Sequence, residues 1–226
     1  MVDETLSRHN PIVYWIATLV LAVVAGFILW LKFDAGDSNN TNFSTELNTN
    51  VQITDGLMHS VPLEDIVDGA SLADGIGALD MPQFISIAEA QQTVTSDAVG
   101  IALDINGVAR FYPFDALLPH EIVNDTIGDQ RVLIAYCAQC RTGVVYDPIV
   151  RGESVGFDVS GKMWNGNLLM YDRLTGSFWS QALGKAVVGP MTGGSLPLVA
   201  FDQPRFEDWE NAHPDGRVLS VSIINP

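Results

Sequence analysis

The chain has 226 residues, 47% of them apolar, and a formal net charge of −16. This length suits one main domain plus extensions, and the apolar share is enough for a sizeable core. So acidic a chain repels phosphate backbones and anionic lipid surfaces, which argues against nucleic acid as a partner and fits solubility in a salty or crowded setting. The first 33 residues hold Asp3, Glu4, Arg8 and Lys32 and balance, so the rest carries the whole excess.

After an N-terminal tail (1–10), Pro11 to Leu31 runs for 21 residues without a charge. A helix needs roughly 20 to cross a bilayer, and Tyr14, Trp15 and Trp30 suit its two interfaces. A secretory apolar core is shorter, and no clean small-x-small cleavage site follows. Residues 11–33 are therefore expected to be an uncleaved single-span anchor. Arg8 and Lys32 tie the positive-inside count. The N-terminal position of the span and the acidic flank at Asp34 and Asp37 place the body on the extracytoplasmic side. Residues 34–50, rich in Asn, Thr, Ser and Asp, read as a flexible polar linker. Its two Asn-x-Ser/Thr sequons are read as coincidence of composition.

The folded body is expected over 51–226. Pro62 to Val67 reads as a short helix ending at Gly69, and Asp74 to Pro82 as a Gly/Pro/Asp loop. Phe84 to Ile87 reads as a strand and Ala88 to Gln92 as a helical turn. Ile101, Leu103 and Ile105 alternate before Asn106-Gly107, whose positive φ angles make a type I′ hairpin turn into Val108–Tyr112. Phe114 to Leu118 is a helical turn closed by Pro119. His120 to Asp125 is a polar segment, in which Glu121 and Asp125 are expected to be solvated turn carboxylates rather than an acid/base pair.

The central stretch runs from Arg131 to Asp147. The apolar runs Val132–Tyr136 and Val144–Tyr146 flank Cys137 and Cys140, the two cysteines of the chain, and predict strand, four-residue turn, strand with both sulfurs at the tip. Gly143–Tyr146 and Val155–Val159 then read as a hairpin about Arg151-Gly152-Glu153, and Ser160–Asn167 as a Gly/Asn loop. Leu168–Tyr171 and Ser177–Gln181 read as strands about the turn Asp172–Gly176. Arg205–Ala212 reads as a helix stopped by His213-Pro214, and Val218–Ile223 as a last strand. Short strands joined by Gly/Asn/Asp turns describe a β-rich α+β domain, mostly antiparallel hairpins with minor helices. No phosphate-cradling Gly-rich loop is present, which disfavours nucleotide chemistry.

Two cysteines cannot make a disulfide scaffold, but their C-x-x-C spacing points to a dithiol redox pair or to two thiolate metal ligands, with a plain structural disulfide as the bland reading. The residues after Cys140 are β-forming, so no helix dipole activates the thiol. Arg141 offers a permanent cation instead. A four-thiolate site lacks two ligands. A mixed copper site of Cys137, Cys140 and His120 is the metal alternative, while Met163 and Met170 are read as core residues. His59 and His213 read as loop or cap residues, and His9 belongs to the tail.

Gly75-Ile-Gly-Ala-Leu-Asp, His120-Glu-Ile-Val-Asn-Asp, Tyr136-Cys-Ala-Gln-Cys, Ser160-Gly, Asn167-Leu-Leu-Met-Tyr-Asp, Trp179-Ser-Gln and His213-Pro-Asp together resemble the domain-of-unknown-function family 3179 (DUF3179), over roughly residues 60 to 221. That family is widespread in bacteria and archaea, is often exported or membrane-anchored, and has no agreed activity. Some of its members are described as selenoproteins with selenocysteine in the cysteine motif, which implies redox or soft-metal chemistry. Its usual motif is Tyr-Cys-Pro-Leu-Cys followed by Gly or Asn. Here Ala138 replaces Pro, and Arg141 stands at the Gly/Asn position, which argues against a tight left-handed metal knuckle and for thiol redox.

The leading expectation is a membrane-anchored extracytoplasmic domain whose Cys137/Cys140 pair exchanges disulfides with a partner, with His120 as proton acceptor and Arg141 favouring the thiolate. The alternatives are a copper or other soft-metal module using the cysteines and His120, and a non-catalytic accessory subunit of a membrane complex.

Overall fold

The computed structural model of the chain describes residues 50–69 and 77–220, all within one unit that runs from Thr49 to Pro226. The expected tail and anchor, nearly all of the linker, the Gly75 motif start and the end of the last strand lie outside the described residues. Among the described residues, no helix is long and apolar enough to cross a membrane.

Strands β1 (Gln52–Thr54) and β2 (Leu57–His59) form a hairpin with Asp55 and Gly56 at φ 52° and 83°. The residues expected as a first helix instead form a 3-10 turn (Leu63–Asp65) and strand β3 (Ile66–Asp68). Six residues are too few to sustain a helix alone, and Ile66 and Val67 favour extended backbone where a sheet edge is on offer. Within the expected loop, Leu79–Asp80 forms the short strand β4. Strand β5 (Phe84–Ser86) leads into α1 (Ile87–Ala90), which Ser86 and Glu89 start with a reciprocal capping box. Strands β6 (Gly100–Ile105) and β7 (Val108–Pro113) meet at Asn106 and Gly107, at φ 54° and 78°, as the dipeptide predicts. Helix α2 (Phe114–Leu117) follows.

The polar segment after Pro119 runs into a strand, β8 (Ile122–Ile127), which pairs antiparallel with β9 (Gln130–Cys137); β9 pairs in turn with β10 (Thr142–Tyr146). Strands β11 (Ile149–Val150) and β12 (Glu153–Ser154) make a small hairpin of their own about Arg151-Gly152, so β10 keeps β9 as its partner rather than Val155–Val159. The expected Gly/Asn loop over 160–167 is mostly strand. β13 (Phe157–Trp164) absorbs Ser160 and Gly161 as a bulge and turns at Asn165-Gly166 into β14 (Asn167–Asp172). At the bulge the Ser160 hydroxyl donates to Leu169 O and accepts from Lys162 N–H, so side-chain bonds fill the gap in the ladder. Strands β15 (Phe178–Ser180) and β16 (Lys185–Val188), helix α3 (Phe206–Ala212) and strand β17 (Arg217–Leu219) complete the described elements.

The main sheets stack in order. A seven-stranded sheet runs β1-β2-β16-β15-β14-β13-β3, a four-stranded sheet runs β10-β9-β8-β4, and another runs β5-β17-β7-β6. Pairing is antiparallel except β4 with β8 and β7 with β17. The β8–β10 sheet is the middle layer. Along β9, Leu133, Ala135 and Cys137 face the core shared with β13–β16, while Val132, Ile134 and Tyr136 face the core shared with β6 and β7. This alternation explains the unbroken apolar run, because a strand covered on both faces has no polar side. On the outer face of the β6/β7 sheet, Phe111 packs against Phe206 and Trp209 of α3. The architecture is the expected β-rich one, mostly antiparallel with few helices.

Candidate functional site

Cys137 ends β9, whose last six residues are all buried, so its side chain is the last core residue before the chain leaves the sheet. It is 1% exposed. Thr142 pairs with Cys137, which leaves Ala138, Gln139, Cys140 and Arg141 as a four-residue loop. The loop closes through Arg141 at φ 52°. The left-handed conformation expected to lapse with arginine is therefore present, at a cost of roughly 1–2 kcal/mol for a residue with a Cβ. Paired strands on either side fix the ends of so short a loop and compel it.

Cys137 and Cys140 are joined in a disulfide with Cα atoms 5.3 Å apart. Cys140 is partly exposed and packs its sulfur over the edge of the core beneath β13–β16. The Cys140 N–H donates to Cys137 Sγ at 3.2 Å. From the opposite sheet, Asn167 Nδ2 donates to Cys140 Sγ at 3.4 Å, and Gly166 O lies 3.5 Å from the same sulfur. The Asn165-Gly166 turn of β13–β14 thus rests on the cysteine loop.

Gln181 fixes Asn167 there. Its side chain is fully buried and donates to Ala135 O (3.0 Å) and Thr142 O (3.1 Å), one on each strand of the cysteine hairpin. Its Oε1 accepts from Asn167 Nδ2 at 2.9 Å, and Asn167 Oδ1 accepts from Ala182 N–H (2.9 Å) and the Ser180 hydroxyl (3.2 Å). The Tyr146 hydroxyl donates to Gln181 O at 2.8 Å; burial pushes this phenol well above its ordinary value. Two neutral amides, each bonded at both ends, therefore lock the tip to the neighbouring sheet.

Glu121 approaches from the other side. It sits at φ 55°, just before β8, and is 5% exposed. Its backbone oxygen accepts from Tyr136 N–H at 2.6 Å and its Oε1 from Ala138 N–H at 3.4 Å, inside the cysteine loop. The expectation of a solvated carboxylate is corrected here, and likewise at Asp125. Asp125 is 6% exposed and accepts from Arg110 and the Tyr112 hydroxyl. Burial and the adjacent Asp125 raise Tyr112 well above the usual phenol range. The two carboxylates thus serve different networks, Glu121 just ahead of β8 and Asp125 within it.

His120 is the neighbour of Glu121, but its Nδ1 donates to Gly77 O at 3.1 Å. Arg141 is exposed at the rim of a cleft of about 630 Å³ that also meets Phe114, Leu118, Tyr136 and Ala138. Phe114 stacks on Tyr136 at 4.7 Å. Burial raises the Tyr136 phenol and Arg141 partly opposes that shift. Among the described residues no three His, Cys, Asp or Glu side chains are grouped as a metal site. Met163 and Met170 are buried in the core. His59 is not a loop residue: it ends β2, is 4% exposed, donates from Nδ1 to Val61 O and bonds Thr54 through Nε2. His213 caps α3 and packs on Trp209.

A family model described as a protein of unknown function (DUF3179) matches residues 73–223. The chain belongs to the DUF3179 family. Comparison with curated proteins and with solved structures found no match to either. The DUF3179 match begins after the β1–β2 hairpin and β3 and takes in the cysteine loop and every group that touches it. Reasoning from spacing found the two cysteines but missed Asn167, Gln181 and the placing of Glu121. The available signal was an amide at the start of one apolar strand and another just past the end of the next.

Proposed function

We propose that this DUF3179 chain is a thiol–disulfide exchange domain, held on the extracytoplasmic side of a membrane by its N-terminal segment. A partner dithiol reduces the Cys137–Cys140 bond. One partner thiolate attacks one sulfur and expels the other, and the second partner thiol then resolves the mixed disulfide. The partner loses two electrons and the pair gains them, and the protons of the partner thiols end on the two cysteines.

The observation that carries the reading is a disulfide closing a four-residue loop between strands that already pair, with one of its two cysteines partly exposed. As a staple it adds little, since closing so short a loop is worth roughly 2 kcal/mol on the chain-entropy account. A three-residue separation on a rigid hairpin keeps both sulfurs in place after reduction, so the bond reforms readily. Arg141 adds a cation beside Cys140, and His120 stands one residue from the carboxyl that reaches the loop.

The test is thiol titration of native protein before and after a dithiol. Wild type should gain two titratable thiols and lose them on reoxidation, and Cys137→Ser or Cys140→Ser should abolish the change. A titre that never moves in folded wild type removes the reading. His120→Asn should slow reduction of the folded protein if the imidazole takes the proton, and an unchanged rate removes His120 from the reaction. Elemental analysis of protein purified without chelators tests the copper alternative: one bound metal per chain would favour it.

A further inference from the structure

We infer that Cys140 is the sulfur that meets the partner, that Cys137 is the one that leaves, and that Asn167 is the group that stabilises Cys140 as it departs. This order rests on the exchange reading above. Cys137 is 1% exposed and walled by the core beneath β13–β16, so an attacking thiolate has no line to it. Cys140 is partly exposed, between the exposed residues Gln139 and Arg141. A nucleophile must approach along the axis of the bond it breaks, so the accessible atom decides the direction.

The hydrogen bonds fit the same order. The partner thiolate attacks Cys140 Sγ, and the Cys137–Cys140 bond breaks. The electron pair leaves on Cys137 Sγ, where the Cys140 N–H already donates at 3.2 Å. The partner's second thiolate then attacks its own sulfur in the mixed disulfide. Cys140 departs as a thiolate facing Asn167 Nδ2, which donates at 3.4 Å. Asn167 can hold that direction because its Oδ1 is bound by Ala182 and Ser180 and its amide nitrogen by Gln181 Oε1. The charged and titratable groups around the loop include Glu121 through Ala138, Arg141 next in the chain, Tyr136, and Asp97 and Asp115 from the cleft that Ala138 and Arg141 line. Asn167 and Gln181, from the sheet packed against it, are neutral.

The test compares single-cysteine variants, checked for folding by near-ultraviolet circular dichroism, in their reaction with oxidised glutathione. Cys140 in the Cys137→Ser variant should react on the order of tenfold faster than Cys137 in the Cys140→Ser variant. Equal or reversed rates overturn the order. Should either variant misfold, reduced wild type is alkylated briefly and its peptides are mapped, and label should appear first on Cys140. Placing Asn167→Asp in the Cys137→Ser background should move the midpoint of the Cys140 pH–rate profile up by roughly one unit, since a donor to the thiolate becomes a like charge. An unmoved midpoint removes Asn167 from the reaction. A pair that stays oxidised in folded wild type overturns the exchange reading and this order with it. A pair that is reduced but labels first at Cys137 overturns the order alone.

Discussion

Replacing Gln181 by Leu removes the buried amide that joins the cysteine hairpin to the β14–β15 strands, at nearly constant volume. Ala135 O, Thr142 O and Asn167 Nδ2 each lose a partner. A buried polar group left unmade costs about 1–3 kcal/mol. Carbonyls keep a second lone pair, and the tip lies close to solvent, so the three together should cost roughly 2–4 kcal/mol. The assay is urea unfolding of the oxidised protein followed by tryptophan fluorescence, read as a lower midpoint with unchanged slope. Gln181→Glu is the sharper control. It is nearly isosteric, yet it turns an acceptor towards two carbonyl oxygens, so it should be at least as damaging. A loss below about 1 kcal/mol for both variants would refute the claim that this amide anchors the tip.

Other parts of the fold give separate tests. Asp125→Ala strips the partner from the Tyr112 hydroxyl and from Arg110, and should cost about 3 kcal/mol or more in urea unfolding. Tyr112 and Tyr146 keep their protons to higher pH in the fold than in the unfolded chain, where phenols titrate near about 10. Their contribution is complete below that value and is lost as pH rises through the folded values, so stability should fall above about pH 10. Tyr146→Phe should flatten the fall. Gly184 and Gly128 both sit at φ 59°, but a Cβ at Gly184 would meet the Tyr146 ring at 2.5 Å and one at Gly128 would meet nothing. Gly128→Ala should therefore cost only the backbone strain of roughly 1–2 kcal/mol, and Gly184→Ala a further 1–3 kcal/mol or so by thermal or urea unfolding.

Local chemistry made part of this fold legible. Asn106-Gly107 fixes its hairpin because both residues accept positive φ, and the apolar runs on either side of the cysteines can only be covered strands. His213-Pro214 stops α3 because a residue before proline avoids helical backbone. What stayed hidden depends on partners distant in sequence. The polar segment before the central strand enters β8 because its polar side chains are matched elsewhere. Asn124 bonds Asp80 and both backbone groups of Phe157, and Asp125 bonds Arg110 and Tyr112. No periodicity reveals such matches. Ser160-Gly161 reads as a loop because a bulge and a turn use the same residues, and only the pairing of β13 with β14 and β3 separates them. The candidate site shows the same division. The cysteine spacing is visible in the sequence, whereas the amide lock of Asn167 and Gln181 exists only once two sheets are stacked.

The central claim is that the Cys137–Cys140 bond opens and closes while the protein stays folded. Equilibrating the native protein in dithiol/disulfide buffers of graded ratio, with rapid alkylation and mass measurement, tests it most directly. The account predicts one reversible two-electron transition, with near-ultraviolet circular dichroism unchanged across it. A disulfide that resists every buffer until the fold itself melts would contradict it.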